Sequence, residues 1–355
     1  MLKKKSIVIV FVFCVFVLEL FIYSTRTKNS MESRSLDVIA VEQKDSIDFC
    51  GEKVPLHSQD ILERYEYEIL KNAYWHSQIN ITYKRTGKFF PVIERILKEE
   101  GIPDDFKYLC IIESGLDNVV SPVGASGFWQ IMETTGKEYG LEITKDVDER
   151  YHLAKATRVA CKYFKRAHEK FNSWTLAAAS YNIGISGIER RLKKQKTDNY
   201  YDLHLNSETS RYVFRILALK EILNHPERYD FSLNEKHKYK PVPVRTVQVD
   251  SSISDLTAWS EAQEINYKIL KIFNPWLRNT KLRNPNGQQY ELKIPISWVF
   301  KFASNENDSA TVLDSAGTAV LDSVQIPIKD SIGNTAEYQV DTIKKGVLKK
   351  RRTHD

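Results

Sequence analysis

Apolar residues recur every three or four positions between residues 55 and 230, and this spacing predicts α-helices. The predicted helical segments are 58–75, 79–86, 90–100, 134–140, 153–171, 173–184 and 207–223. After residue 240 the pattern changes to a strand at 244–250, short helices at 253–262 and 269–273, and a strand at 290–294. The sequence therefore predicts a mainly α protein, in which an all-α domain is followed by a small β-α-α-β domain.

The stretch from Pro103 to Gln130 holds the main candidate for chemistry, Glu113. Pro103 suits a first helical turn, and Gly115 marks a helix end. One face of this helix carries Phe106, Leu109, Cys110 and Glu113. An apolar face and the negative end of the helix dipole both raise the pKa of a carboxyl group. Glu113 is therefore a candidate general acid, and a helix-end glutamate that reaches solvent is the alternative.

A loop rich in Ser, Gly and Pro follows Glu113 and ends in an aromatic residue and an amide, Trp129 and Gln130. Such a loop brings backbone N–H groups, hydroxyls and a ring close to a ligand. Sugars are bound by rings against their apolar faces and by amides against their hydroxyls. An acid beside this loop suggests a polysaccharide site.

Further along, residues 146–150 (Asp-Val-Asp-Glu-Arg) are predicted to form a charged loop.

Charge and cysteine content exclude several classes of function. The 355-residue chain has a net charge of +6, but the excess lies at its two ends and the middle is nearly neutral. This distribution gives no basic footprint for nucleic acid. The four cysteines and eight histidines show no metal-site spacing, so we predict neither a metal nor a cofactor. A Cys110–Cys161 disulfide is an open alternative in an exported protein.

Residues 1–23 predict export. Three lysines precede an apolar run from Ser6 to Tyr23 that is broken only by Glu19. As a helix these 18 residues would span roughly 27 Å, close to the membrane's hydrocarbon thickness of about 30 Å. The lysines favour an N-terminus in the cytoplasm, and a signal anchor in the membrane is the preferred interpretation. A cleaved signal peptide is the alternative. Residues 24–54 are predicted to be a linker.

Several motifs in order resemble the soluble-lytic-transglycosylase-type catalytic domain, closest to the membrane-bound lytic murein transglycosylase D group. They are Glu113-Ser114-Gly115, Ser121-Pro122-x-Gly124-Ala125-x-Gly127-x-Trp129-Gln130, Asp148-Glu149-Arg150, Ala179-Ser180-Tyr181-Asn182-x-Gly184 and Arg211-Tyr212-Val213. The resemblance runs from about Arg64 to Tyr229. Two departures are a loop before Ser121 that is one residue shorter than usual, and Ser180 where many relatives have alanine.

The resemblance implies a lysozyme-like α-helical fold and a peptidoglycan substrate, on the periplasmic face of a membrane in a Gram-negative-type cell. Members cleave the β-1,4 bond between N-acetylmuramic acid and N-acetylglucosamine. Glu113 would protonate the leaving oxygen and then deprotonate the muramyl 6-hydroxyl, which closes a 1,6-anhydro ring. The nucleophile belongs to the substrate, so the resemblance requires no second catalytic carboxylate and no cofactor.

The resemblance also implies the substrate-binding residues, which are Ser114, Ser121, Gly127, Trp129, Gln130, Tyr181, Asn182 and Tyr212. Ser114 would buttress Glu113, and Tyr181 would orient Glu113 or an N-acetyl group. Gln130 and Asn182 would bind sugar amides or hydroxyls. The alternatives are packing for Ser114, a core position for Tyr181, and a core position instead of a stacking platform for Trp129.

The second domain resembles a LysM module, a type that binds N-acetylglucosamine-containing glycans. The matching positions are Val247, Val249, Asp250, Ser254, Leu256, the 270–275 stretch, Gly287, Ile294 and Pro295. The usual Gly-Asp-Thr opening is replaced by residues 250–253, so a purely structural appendage is the alternative. The expected layout is a signal segment at 1–23, a linker at 24–54, a catalytic domain at 55–232, a LysM-like module at 240–298 and a largely disordered tail at 299–355.

Two other functions compete with a lytic transglycosylase. A hydrolytic muramidase on the same fold would deliver water in place of the 6-hydroxyl. A non-catalytic cell-wall-binding protein would serve as a scaffold without turnover. In all three cases the expected partners are peptidoglycan glycan strands and the membrane, and not nucleic acid.

Overall fold

The computed structural model describes residues 46–296 and two strands beyond them, at 323–329 and 335–341. Helices dominate the first part of the chain. They are α1 (Gln59–Ala73), α2 (His76–Glu99), α3 (Phe106–Ser114), α4 (Glu133–Glu138), α5 (Leu153–Phe171), α6 (Trp174–Ile183), α7 (Ile185–Gln195) and α8 (Ser207–Asn224). The strands are β1 (Asp48–Phe49), β2 (Glu52–Lys53), β3 (Val244–Val249), β4 (Tyr290–Pro295), β5 (Ser323–Lys329) and β6 (Thr335–Asp341), with α9 (Leu256–Ala262) and α10 (Tyr267–Phe273) between β3 and β4.

The main difference from the predicted helices is α2. The sequence predicts two helices here, 79–86 and 90–100, whereas the structure has one helix with Pro91 inside it. Buried residues from Ile79 to Leu97 stay on one face throughout α2. The stabilisation from burying this continuous face is larger than the cost of the backbone hydrogen bond that Pro91 removes, so the helix continues through the proline. The helix α7 was not among the predicted helices. It buries only Gly187 and Ile188, and an apolar stripe this narrow gives no helical periodicity in the sequence.

The helix α3 lies in the centre of the helical domain. Its first residue, Phe106, is fully buried, with its ring centroid 4.2 Å from that of Phe164 in α5. It also meets Trp174 of α6 edge-on, with the ring centroids 5.6 Å apart. At the other end Gly115 adopts φ 61° and its N–H donates to the Ile111 carbonyl, which ends the helix as predicted. These contacts fix the position of the last turn of α3.

The short hairpin β1–β2 falls at the end of the segment predicted as a linker. Glu52 accepts hydrogen bonds from the Ser173 hydroxyl (2.9 Å) and from the Thr175 N–H (3.0 Å). A carboxylate at this position satisfies free N–H groups and complements the positive end of the dipole of α6. The hairpin therefore belongs to the helical domain.

The predicted β-α-α-β unit is present. Its strands β3 and β4 are antiparallel, with Val244 opposite Pro295 and Val249 opposite Tyr290. We refer to residues 244–295 as the LysM-like module. The core of the module is formed by Val249, Ile253, Leu256, Leu270, Trp276, Leu277, Leu282, Tyr290, Leu292 and Ile294. Val147 and Tyr151 of the helical domain pack into the same core, so the module is docked on the helical domain.

The charged loop predicted at 146–150 is buried. Asp146, Asp148, Glu149 and Arg150 are between 3% and 7% exposed, and residues Glu149–Tyr151 form a 3-10 turn. Buried charges of this kind need charged or hydrogen-bonding partners. The partners come from within the segment, from the LysM-like module, from Lys155 and from the carbonyls of Gly124 and Ile131.

The ends of the chain lie mostly outside the described residues. The strands β5 and β6 lie within the tail at 299–355 and pair antiparallel, with Ser323 opposite Asp341. The predicted signal segment at 1–23 lies outside the described residues. Within the described part of the chain, no helix is long and apolar enough to cross a membrane. Cys110 and Cys161 are free thiols, so the possible disulfide between them is not formed.

Two helical glycines provide a test of how closely α2 packs against residues 238 and 239. A Cβ at Gly87 would lie 2.6 Å from the Lys238 Cβ and 2.7 Å from the Tyr239 carbonyl oxygen. We expect Gly87→Ala to lower the free energy of unfolding by about 1–3 kcal/mol, despite the better helix propensity of alanine. A Cβ at Gly187 meets only ordinary contacts of 3.4 Å or more, so Gly187→Ala should be neutral or slightly stabilising. Urea unfolding followed by circular dichroism compares the two, and equal effects would contradict the close approach at Gly87.

Candidate active site

Glu113 lies in the last turn of α3, where its partly buried carboxyl group meets α8. The Tyr212 hydroxyl donates a hydrogen bond to Glu113 Oε1. Burial raises the pKa of Glu113 from 4.5 to about 7, while the Tyr212 hydrogen bond and the Arg215 charge oppose the rise. The nearby Glu208 charge also raises the pKa. At neutral pH a large fraction of Glu113 therefore carries a proton.

Tyr212 is a constant hydrogen-bond donor to Glu113. Its side chain is 1% exposed, and burial together with the Glu113 charge holds its pKa well above its ordinary value. The hydroxyl therefore stays protonated over the physiological range. The resemblance implied Tyr212 as a site residue without identifying its partner, and the structure brings it directly to Glu113.

The loop at 119–131 is closed by its own polar groups. The Ser121 N–H donates to the Ala125 carbonyl (2.9 Å), and the Ser121 hydroxyl accepts from the Ala125 N–H (3.0 Å). Gln130 has φ 46°, and its Nε2 donates to the carbonyls of Val119 (3.0 Å) and Gly127 (2.8 Å). In this conformation Ser121 and the Gln130 amide nitrogen shape the loop.

Two of the expected substrate-binding residues are packing residues. Trp129 is fully buried, and its Nε1 donates to the Thr157 hydroxyl at 2.8 Å. The core alternative for Trp129 is therefore correct, and the stacking platform is wrong. Gly127 has φ 80°, and a Cβ there would lie 2.0 Å from the Arg150 carbonyl oxygen. Gly127 thus allows close approach of two backbones and presents no surface to a ligand.

The residues from the Tyr-Asn motif bond mainly to protein. The Tyr181 hydroxyl donates to the Trp129 carbonyl at 2.7 Å. Asn182 accepts from the Thr209 hydroxyl (2.7 Å) and donates to Glu208 (2.9 Å). These contacts join the end of α6 to the loop and to the start of α8.

Ser114 does not contact Glu113 through its hydroxyl, which donates to the Cys110 carbonyl at 3.2 Å. The packing alternative for Ser114 is the one that the structure shows.

Apolar side chains lie exposed along the 119–131 loop and just after its end. They are Val119, Val120, Val123 and Met132, with exposed fractions between 39% and 74%.

Sequence reasoning missed two charged neighbours of Glu113, namely Glu208 and Arg215. Arg215 also donates to the Ile112 carbonyl at 3.4 Å. Glu208, Tyr212 and Arg215 are spaced i, i+4 and i+7 along α8 and so share one face. This spacing can be read from the sequence. Only the structure, which places Tyr212 opposite Glu113, shows that this face of α8 is the one directed at Glu113.

Two family models match the chain. Residues 90–204 match the transglycosylase SLT domain, and residues 245–297 match the soluble lytic transglycosylase C-terminal LysM-like domain. The membrane-bound lytic murein transglycosylase D of Escherichia coli strain K12 is 26% identical over 244 residues, which are 67% of this chain and 52% of that protein. A putative tributyltin chloride resistance protein of Alteromonas sp. strain M-1 is 26% identical over 121 residues, 33% of this chain and 58% of that protein.

The chain spans about half the length of these curated relatives. A solved structure of an inactive mutant of the lytic transglycosylase Slt from Pseudomonas aeruginosa is 20% identical and covers 42% of this chain and 26% of that chain. The TM-score of this structural match is 0.31. Residues 90–204 therefore resemble a transglycosylase SLT domain and residues 245–297 a soluble lytic transglycosylase C-terminal LysM-like domain, and the chain is similar in sequence to membrane-bound lytic murein transglycosylase D.

Proposed function

We propose that this protein is a peptidoglycan lytic transglycosylase that cleaves the β-1,4 bond between N-acetylmuramic acid and N-acetylglucosamine. The observation that carries the proposal is the raised pKa of Glu113, about 7, beside the hydroxyl of Tyr212. A general acid is most useful when its pKa lies near the working pH. The SLT family match and the name of the Escherichia coli relative support peptidoglycan as the substrate.

In the proposed reaction Glu113 acts first as an acid and then as a base. Oε1 is held by Tyr212, so the free oxygen, Oε2, carries the proton to the glycosidic oxygen as the C1–O4 bond breaks. The resulting carboxylate takes the proton of the muramyl 6-hydroxyl, and O6 bonds to C1. The product is a 1,6-anhydro end, and the proton returns to Glu113. Tyr212 stabilises the carboxylate between the two steps because its hydroxyl stays protonated.

The exposed apolar side chains along the loop fit a substrate with apolar sugar faces and lactyl groups. The paired motif residues hold the loop in shape. We place the enzyme on the periplasmic side of a membrane, in line with the predicted N-terminal segment and with the name of the relative. A groove of about 450 Å³ in the LysM-like module, lined by residues 247–255 and Trp259, is where glycan binding by the module would be expected.

A hydrolytic muramidase is the second candidate, and Glu208 is the observation that favours it. Its charge acts on Glu113, so it is the acidic residue positioned to assist a water molecule. Two-carboxylate glycosidases use such a pair. However, Glu208 already accepts a hydrogen bond from Asn182, which suits a structural role.

Mass spectrometry of digested sacculi tests the reaction. We expect 1,6-anhydro ends from the wild-type enzyme and from Glu208→Gln, which keeps an oxygen to accept the Asn182 hydrogen bond. Glu208→Gln should retain turnover within about tenfold, because the intramolecular hydroxyl needs no second base. Reducing ends together with an inactive Glu208→Gln variant would establish the hydrolytic mechanism instead.

Replacing Glu113 separates an enzyme from a cell-wall-binding protein. Glu113→Gln should lose at least about 1,000-fold in turnover, because the glutamine amide has no acidic proton to transfer. The folded-state pKa of about 7 exceeds the ordinary 4.5, so the stability that is present below pH 4.5 is lost as the pH rises from about 4.5 to about 7, where Glu113 ionises in the folded state. We expect Glu113→Gln to be roughly 2–3 kcal/mol more stable than wild type at pH 8.5 and about equal at pH 4. Unchanged turnover would remove Glu113 from the mechanism. Thermal unfolding of both proteins at pH 4 and pH 8.5 checks the raised pKa of Glu113.

Tyr212→Phe tests how the acid is tuned. The variant removes a hydrogen bond that stabilises the carboxylate, so the pKa of Glu113 should rise. The alkaline limb of the pH–rate profile should then move to higher pH, and turnover at neutral pH should fall about tenfold through lost orientation. Tyr181→Phe is the matched control, because its hydroxyl bonds to Trp129 and not to Glu113. Equal shifts in both variants would argue against a specific role for Tyr212.

A further inference from the structure

One segment contacts both the LysM-like module and the active-site loop. We call residues 142–152, between α4 and α5, the bridging segment. The module packs on one side of it, and the loop at 119–131 packs on the other. The residues that contact the module and those that contact the loop are adjacent in the bridging segment. A displacement caused by the module is therefore transmitted to the loop over a short distance.

On the module side the central contact is the ion pair between Asp146 and Arg283. Arg283 Nε donates to Asp146 Oδ2 (2.6 Å) and Nη2 to Oδ1 (3.0 Å). Asn279 adds a hydrogen bond to the same carboxylate at 2.7 Å. The Asp146 side chain is 4% exposed and that of Arg283 is 58% exposed. The hydrogen bonds from Arg283 lower the pKa of Asp146 to about 2, so the carboxylate stays charged in the interface.

Backbone and apolar contacts extend this interface. The Asp148 N–H donates to the Trp276 carbonyl at 2.8 Å, and the Tyr290 hydroxyl donates to Glu142 at 2.8 Å. The Arg278 guanidinium lies 4.0 Å from the ring centroid of Tyr151. Because Val147 and Tyr151 also complete the core of the module, it cannot leave without exposing apolar surface on both sides.

On the loop side the central residue is Arg150. Its guanidinium is paired with Asp148 at 2.7 Å and donates to the carbonyls of Gly124 (2.9 Å) and Ile131 (3.3 Å). The Arg150 carbonyl lies against Gly127 with no room for a Cβ. Arg150 thus holds the middle and the end of the 119–131 loop.

We propose that the LysM-like module is a positioning element of the active site. Its docking through Asp146 and Arg283 holds the bridging segment in place, and the bridging segment, through Arg150, holds the 119–131 loop in the geometry that binds the glycan. This inference rests on the proposed function in one respect, since it takes the loop to be a wall of the substrate site. Undocking the module therefore weakens substrate binding without changing the protonation of Glu113.

The test uses the full chain with Arg283→Met, and a second variant that combines it with Tyr290→Phe. Amide hydrogen exchange reports docking at Asp148, whose N–H bonds to Trp276, and reports the loop at Gly127 and Ile131, whose N–H groups bond within it. We expect faster exchange at all three amides. With a soluble glycan chain we expect KM to rise about tenfold, while the alkaline midpoint of the pH–rate profile stays the same.

Arg245→Met is the matched control. It removes an arginine of the same module that bonds to Gln263 within the module, and it should leave loop exchange and KM unchanged. Faster exchange at Asp148 with an unchanged loop would overturn the coupling. Unchanged exchange at all three amides in the double variant would overturn the docking role of Arg283. Because the exchange readout needs no turnover, it stands even if the proposed reaction is wrong.

Discussion

The burial of one carboxyl group is the constraint on which the arrangement of the helical domain depends. Glu113 loses much of its hydration at the end of α3, and this loss favours the neutral acid. Tyr212 offsets part of the cost with a hydrogen bond from a group that does not ionise in the physiological range. The balance between these two effects keeps the pKa of Glu113 near 7 and leaves it neither permanently charged nor permanently neutral. Any element that shifts α8 relative to α3 changes that balance.

Most other motif residues shape the 119–131 loop and its contacts with the helices next to α3. Gln130 closes the loop on itself, Tyr181 bonds the loop to α6, and Asn182 joins α6 to α8. The motif from 113 to 130 could be recognised from the sequence, and so could the helix that carries Glu113. The role of Trp129 could not, because an aromatic residue beside a glycine-rich loop fits a core and a ligand platform equally well. Only the surrounding helices, which enclose its ring completely, distinguish the two.

Long-range partners account for what the sequence did not predict. Periodicity gives the face of a helix but not its neighbour, and Tyr212 is 99 residues from Glu113. The run at 146–150 was predicted as a charged loop, since four of its five residues are charged and charged side chains normally remain in water. Its burial depends on Arg283, which lies 137 residues further along. A buried charge is tolerated only where its partner is supplied, and one sequence does not show which distant arginine supplies it. The fold class and the two domains were predictable because they follow from local spacing.

The functional unit is larger than the segments that match the family models. The SLT match ends at residue 204, but the hydrogen-bond donor to Glu113 lies beyond it, in α8. The position of α8 depends in turn on α1, where Glu68 is 1% exposed and pairs with Arg211. Since α1 precedes the matched segment, residues on both sides of the match contact each other around α8. The motif thus identifies Glu113 as the candidate acid, while α8, which lies outside the match, supplies the Tyr212, Arg215 and Glu208 groups that shift its pKa.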